Sequence, residues 1–293
     1  MNNGGEYLSE GDTLYVILPY FNFLQSEYSV KNLNIFIKNM SLQKNVKIFL
    51  IEGIFEEDRQ LLDYTNIVYK HIKIPLQDIL WVKENLINIG FKHLPDSWQY
   101  ACWADRDILF CDPNWSINVI EKLKTSDIIQ PWKEVLFLNK VHNVDPVAER
   151  HDHSTQYKSY YSVGYVHATK TKVKYAWPGQ AWAVNKNFYE KIGGLYEYCI
   201  VGGGDSHLVM NILSKYIKHK RCVLSYVDGL IIHYYHGSIK NRQYITRTDI
   251  LSKHKFDPSK DLTKNELGIL CFTDEGCRMK DDIKEYFLKR LEN

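Results

Sequence analysis

Short apolar runs alternate with helix-periodic stretches through the first half of this chain, and no other feature limits its fold as strongly. Leu14 to Leu18 is an apolar, β-branched run that stops at Pro19. It reads as a buried strand opening into a loop, Pro19-Tyr20-Phe21-Asn22. Glu27 to Met40 spaces Val30, Leu33, Phe36, Ile37 and Met40 as a helix with one buried face does. Val46 to Ile51 reads as a second strand, ending at Glu52-Gly53. A short charged helix is expected over Phe55 to Tyr64 and a third strand over Ile67 to Ile74. A further helix is expected over Ile79 to Ile89, with Gly90 as its stop. Strands alternating with helices predict a mostly parallel sheet with helices on both faces. Ligands of such sheets sit beyond the carboxyl ends of the strands.

The next apolar run, Ala101 to Phe110, is interrupted by Asp105 and Asp107. Unpartnered burial costs a carboxylate roughly several kcal/mol, so both acids belong where the strand opens into solvent. There they can share a divalent cation, or one can hold a cation and the other a sugar hydroxyl. Carboxylate oxygens suit Mg²⁺ or Mn²⁺, which also bind phosphate oxygens. Both acids can equally be ordinary turn or cap residues, because a lone Asp-x-Asp is common. Pro19 to Asn22, Glu52 and Asp105 to Asp107 all fall at strand ends, and that agreement says more than any one of them.

The second half is less regular. Trp115 to Leu123 reads as a helix and Asp127 to Pro131 as a strand. Lys133 to Lys174 is polar and rich in Tyr and His; long irregular segments of this kind are often lids or binding loops. Its His151-Asp152-His153 reads as solvated loop before metal site, since no further ligand pattern accompanies it. Order returns over Ala176 to Val184, where Gly179 lets a ligand approach the backbone. Lys186 to Ile192 is a short helix closed by Gly193-Gly194. Gly202-Gly203-Gly204-Asp205 then precedes a helical pattern of Leu208, Val209, Ile212, Leu213, Tyr216 and Ile217. Asp205 stands where an N-cap belongs, worth ~1 kcal/mol. A helix N-terminus also keeps a carboxylate ionised, and a glycine-lined, ionised Asp suits a general base. Both readings stand at this point. Gly229 to His233 is a strand ending in histidine, followed by Tyr234-Tyr235-His236-Gly237. A single strand-end His is usually structural; His233 and His236 together, with Arg242, Tyr244 and Arg247, make a denser polar cluster. The two arginines suit phosphate oxygens, or else surface ion pairs. The tail has a turn at Asp257-Pro258 and an amphipathic helix near Asp281 to Leu291.

Composition excludes several classes. With 37 basic and 35 acidic residues the net charge is +2, and no basic stripe marks a nucleic-acid binder. The six Cys are scattered without Cys-x-x-Cys spacing, so no zinc site is expected, and Cys102 reads as a reduced core residue. The start of the chain has no apolar signal-peptide core, and no run approaches ~18 apolar residues, so no membrane span is expected. The reading is a cytoplasmic protein.

In this order the pieces resemble a GT-A-fold glycosyltransferase of the family 2-like, nucleotide-sugar-dependent kind, from roughly Leu14 to Asp261. Pro19-Tyr20-Phe21-Asn22 resembles the opening of the donor loop. Trp81-x-Lys83-Glu84-x-x-x-Asn88 is similar to a helix whose basic and Asn residues approach the nucleotide. Ala104-Asp105-Arg106-Asp107 resembles the DxD motif. Gly193-Gly194-Leu195-Tyr196-Glu197 through Gly204-Asp205-Ser206 resembles the acceptor-side motif. His233-x-x-His236-Gly237 with Arg242-x-Tyr244 resembles the late strand whose His completes a metal site. Arg106 in the middle of the DxD, and Gly204-Asp205 where many members have Glu-Asp, depart from the pattern.

The resemblance implies a single Rossmann-like GT-A domain over residues 13–293, after a flexible stretch 1–12. Residues 13–131 would bind the nucleotide sugar, 132–250 the acceptor, and 251–293 would form a helical tail. It implies sugar transfer from a nucleotide sugar, taken as a UDP-sugar, to a glycan, glycoprotein or small hydroxyl acceptor. Asp107 with His233 or His236, and Asp105 beside them, would hold Mn²⁺ or Mg²⁺. Pro19, Tyr20, Asn22, Glu52, Lys83, Asn88, Asp105, Arg106 and Arg242 would meet the donor. Gly179, Trp182, Gly203 and Gly204 would meet the acceptor. Asp205 would be the base of an inverting transfer. A nucleotidyltransferase would carry a basic, glycine-rich phosphate loop after the first strand, and Pro19 to Asn22 has no basic residue. A non-catalytic carbohydrate-binding protein suits the 14% aromatic content but has no need of a carboxylate pair plus a base.

Overall fold

A computed structural model describes residues 12–55, 63–139, 158–237, 244 and 246–290. In chain order its first half forms β1 (Leu14–Phe21), α1 (Glu27–Ser41), β2 (Val46–Ile54), β3 (Lys70–Pro75) and α2 (Lys83–Lys92). β4 (Tyr100–Ala104), β5 (Ile108–Phe110), α3 (Trp115–Leu123), β6 (Ile128–Gln130) and β7 (Glu134–Phe137) follow. The second half adds β8 (Lys158–Tyr161), α4 (Val163–Thr169), β9 (Ala181–Asn185), α5 (Lys186–Ile192), α6 (Gly204–Asn211), β10 (Leu224–Tyr226) and β11 (Leu230–His233).

Among the described residues, seven strands make the central sheet in the order β10-β6-β9-β4-β1-β2-β3. β3, β2, β1 and β4 run parallel; β9 is antiparallel between β4 and β6, and β10 is parallel to β6. This is the mixed, mostly parallel α/β sheet expected. β1 is buried along its whole length because both faces are covered. Its side chains alternate between two cores. Tyr15, Ile17 and Phe21 meet Leu86 of α2, Phe188 of α5 and Phe287 of a C-terminal helix, Lys280–Leu288. Leu14, Val16 and Leu18 meet Leu33 and Phe36 of α1 and Val119 and Ile120 of α3. Each fully buried Leu, Ile or Phe contributes roughly 1.5–3 kcal/mol, so the central strand is fixed from both sides.

Three local expectations change. α2 begins at Lys83, not Ile79, because Trp81 donates its N–H to Ile200 O at 2.9 Å and holds the approach in a loop. Gly90 lies inside α2, and the helix ends beyond it at Lys92. A methyl at Gly90 would stand 2.6 Å from Ile17 Cγ2, so this glycine lets the helix close onto β1. The third strand starts at Lys70; Ile67 and Tyr69 precede it and are exposed. The helix expected over Phe55 to Tyr64 falls largely outside the described residues, as do His151-Asp152-His153 and the stretch 1–12 apart from Asp12. No helix of the described residues is long and apolar enough to cross a membrane.

A second sheet, β5-β11-β7-β8, stands beside the first. β11 pairs antiparallel with β5, placing His233 opposite Ile108. The residue that ends β11 is thereby carried to the turn bearing Asp105 and Asp107.

Candidate active site

The turn Asp105-Arg106-Asp107 joins β4 to β5 and is clamped on both sides. Asp105 donates its N–H to Gln180 O at 2.7 Å, just before β9. Asp107 O accepts the N–H of Tyr234 at 2.8 Å, just after β11. The carboxylates therefore sit at the carboxyl end of β4, beside the end of β1, as the topology requires.

Asp107 is buried, and His236 Nε2 lies 2.8 Å and His233 Nε2 3.8 Å from its Oδ2. Burial works against its charge, but His236 and His233 outweigh it and hold the carboxyl well below the usual range. One ligand atom from each of Asp107, His233 and His236 falls within 4.8 Å of the others. Asp107 Oδ1 is buried with no hydrogen-bond partner among the described residues. An orphaned carboxylate oxygen beside two imidazoles is a donor set that fits a divalent transition ion such as Mn²⁺ better than oxygen-seeking Mg²⁺. Phe137 tilts against His233 at 4.4 Å between ring centroids and fixes the ring.

Asp105 stands outside that trio. Its Oδ1 is 2.6 Å from Lys83 Nζ, at the start of α2, and the same ammonium lies 3.0 Å from Asp205 Oδ2. Burial pushes the Lys83 ammonium down, but Asp105, Asp205 and Glu84 outweigh it and raise its pKa. Asp105 is pushed up to about 6, by burial first and by the charges of Asp205 and Asp107. Glu84, buried behind Lys83, is pushed up by burial to about 8.

Asp205 does not cap its helix. Gly203, with φ at +103°, occupies the N-cap of α6, and no side chain makes a capping bond. Asp205 is in the first turn and its carboxylate turns to Lys83 instead. Gly204 is small for a separate reason: a methyl there would lie 2.1 Å from Glu84 Oε1. A methyl at Gly179 would lie 3.4 Å from Asp205 Oδ2 and 3.3 Å from Trp177 Nε1, so the Gly179 backbone comes right up to the carboxylate.

One cavity of about 500 Å³ connects these groups. It is lined by Pro19 and Asn22 from the end of β1, by Lys83, Asp105, Arg106 and Asp107, and by Gly179, Gly203, Asp205, His233 and His236. Other expected residues lie elsewhere. Tyr20 is buried, with the Arg106 guanidinium 5.7 Å from its ring, so it backs Arg106. Glu52 is buried with His71, 2.7 Å away. Asn88 is consumed in tying α2 to the loop after α5: its Nδ2 donates to Leu195 O and Glu197 Oε1, and its Oδ1 accepts from Leu195 N–H and Tyr189 Oη. Trp182 is fully buried and donates to Pro178 O at 2.8 Å, which shapes the turn that carries Gly179. Gly204 packs on Glu84 behind the cavity wall, and Arg242 lies outside the described residues. The cavity also takes Trp81, Tyr160, Tyr175, Trp177 and Arg290, which sequence reasoning did not assign. Trp177 stood two residues before Gly179; Arg290, in the tail, carried no signal at all.

No family model matches the chain, and no curated protein matches it. Solved structures do resemble it. The catalytic domain of Drosophila β1,4-galactosyltransferase 7 in complex with xylobiose matches at 13% identity and TM-score 0.40, covering 74% of this chain and 64% of that one. A mannosyltransferase from Pyrobaculum calidifontis in complex with GDP-Man and Mn²⁺ matches at 11% identity and TM-score 0.42, covering 83% and 61%. A 4-diphosphocytidyl-2C-methyl-D-erythritol synthase from Anaerococcus prevotii matches at 14% identity and TM-score 0.44, covering 75% and 90%. This chain thus spans under two thirds of the length of either glycosyltransferase. These are distant likenesses.

Proposed function

We propose that the chain is a metal-dependent glycosyltransferase that moves a sugar from a nucleotide-sugar donor, a UDP-sugar, to an acceptor hydroxyl with inversion. The observation that carries this reading is the convergence of two charge systems on one cavity. Asp107 with His233 and His236 offers a cation site, and Asp105-Lys83-Asp205 lies beside it, although the two aspartates come from opposite halves of the chain.

The reaction breaks the bond between the anomeric carbon and the diphosphate and forms one between that carbon and the acceptor oxygen. A divalent cation on Asp107, His233 and His236 would neutralise charge growing on the leaving diphosphate. Asp205, held beside Asp105 by Lys83, takes the acceptor hydroxyl proton as attack begins, worth typically ~10²–10⁴-fold in rate. Lys83 holds the Asp205 and Asp105 carboxylates at a fixed separation, which saves reorganisation during the reaction. In this reading Asp105 and Arg106, which line the cavity, meet donor hydroxyls and phosphate oxygens, and Pro19 and Asn22 frame the nucleotide. Gly179 and Gly203 keep side chains out of the acceptor's path to Asp205.

Calorimetric titration with a panel of UDP- and GDP-sugars, each with and without Mn²⁺, tests the reading. Mn²⁺-dependent binding of one nucleotide sugar is expected. Binding of a free nucleoside triphosphate with a sugar phosphate would point to nucleotidyl transfer, and binding of glycan alone to a lectin.

A further inference from the structure

The cavity carries more positive charge than a nucleotide sugar and its cation account for. Lys83, Arg106, Lys158, Arg247 and Arg290 line it, against Asp105, Asp107 and Asp205, an excess of two positive charges among the described residues. A divalent ion cancels the two negative charges of a nucleoside diphosphate sugar, so the excess survives donor binding. It is concentrated on one wall. Gly202 and Gly203, both at positive φ, leave room for the Arg247 guanidinium: a methyl at either would stand 3.0 or 2.8 Å from its nitrogens. Trp81 is the other neighbour of Gly202, 3.6 Å from that methyl position, and Arg290 lies over the Trp81 ring at 5.0 Å. Both guanidinia act on the phenol of Tyr286. Arg247 makes no ion pair with any described carboxylate. Two neighbouring guanidinia, one of them without a carboxylate, carry a repulsion that a bound anion relieves.

This wall adjoins the Gly203–Asp205 turn, where the acceptor hydroxyl is deprotonated in the reading above, on which this step rests. We infer that Arg247 and Arg290, both beside Trp81, form a specificity subsite for an acceptor carrying an anionic group: a hydroxyl compound, such as a sugar, that bears a carboxylate, sulfate or phosphate. The guanidinia take the anion, the Trp81 ring holds the Arg290 guanidinium over it, and the reacting hydroxyl is presented to Asp205.

Saturation-transfer NMR on the full chain, with UDP and Mn²⁺ present, compares glucuronate and glucose 6-phosphate with glucose as probes. Either anionic probe is expected to bind at least about ten-fold more tightly than glucose. The preference should shrink to about two-fold or less in Arg247→Ala and recover in part in Arg247→Lys, with Mn²⁺-dependent UDP affinity unchanged in both. Equal binding of charged and neutral probes by the wild type overturns the inference and leaves the transferase reading standing. A ten-fold loss of UDP affinity in Arg247→Ala also overturns it, because the arginine would then serve the donor. Absence of Mn²⁺-dependent UDP binding in the wild type removes the parent reading, and this one with it.

Discussion

Replacing Glu84 by glutamine isolates the electrostatic cost built into the floor of the site. Glu84 is buried beside Lys83 and under Gly204, its Oε2 has no hydrogen-bond partner among the described residues, and burial lifts its pKa from 4.5 to about 8. An acid whose pKa is raised by folding stabilises the fold below its unfolded pKa and loses that contribution as pH climbs to the folded value. Between pH 4.5 and about 8 stability therefore falls with each pH unit, by on the order of 1 kcal/mol. At pH 7 the loss from this carboxyl is on the order of 3 kcal/mol. Glutamine keeps the shape and never ionises. Urea unfolding of wild type and Glu84→Gln in EDTA, at half-unit steps from pH 4 to 9, should show equal stability at the acid end. The variant should pull ahead steadily to a plateau near pH 8. A stability difference that stays flat across this range would refute the reasoning, since a solvated carboxylate behaves that way.

Asp107→Asn should weaken Mn²⁺ binding by about 100-fold or more and remove Mn²⁺-dependent nucleotide binding, read by calorimetry; removing even outer-shell partners of a metal costs about 10–100-fold. Asp205→Asn should slow transfer by ~10²–10⁴-fold and leave nucleotide affinity intact; the residue caps nothing, but buried Lys83 keeps only Asp105 as its partner, so the melting temperature should fall by roughly a few degrees. A large drop in melting temperature with activity retained would return it to a structural role. Gly90→Ala should cost about 1–3 kcal/mol in urea unfolding through its collision with Ile17, without changing nucleotide affinity per folded molecule.

The sheet was legible in the sequence because its central strands are buried on both faces and therefore appear as unbroken apolar runs. The alternation of Tyr15 and Ile17 with Leu14 and Val16 between two cores is invisible in such a run. The end-of-strand rule then located Pro19, Asn22, Asp105, Asp107 and His233 at one mouth. Glycine was read less well, since it has several uses. Gly90 resembles a helix stop but serves helix-to-sheet contact, and Gly203 rather than Asp205 occupies the cap. Asn88 lay at a suggestive spacing, yet its amide is consumed by the loop after α5. Residues joined only by tertiary folding gave no signal. The Lys83–Asp205 pair spans 122 positions. Arg290 reaches the cavity only because the C-terminal helix packs Phe287 against the sheet.

Crystals soaked with Mn²⁺ and UDP, measured at the manganese absorption edge, put the central claim to its most direct test. A single strong anomalous peak is expected in contact with Asp107 and with the Nε2 atoms of His233 and His236, with the diphosphate on its open side and Asp205 in the same cavity beside Lys83. Manganese bound elsewhere, or a nucleotide that avoids this mouth of the sheet, would contradict it.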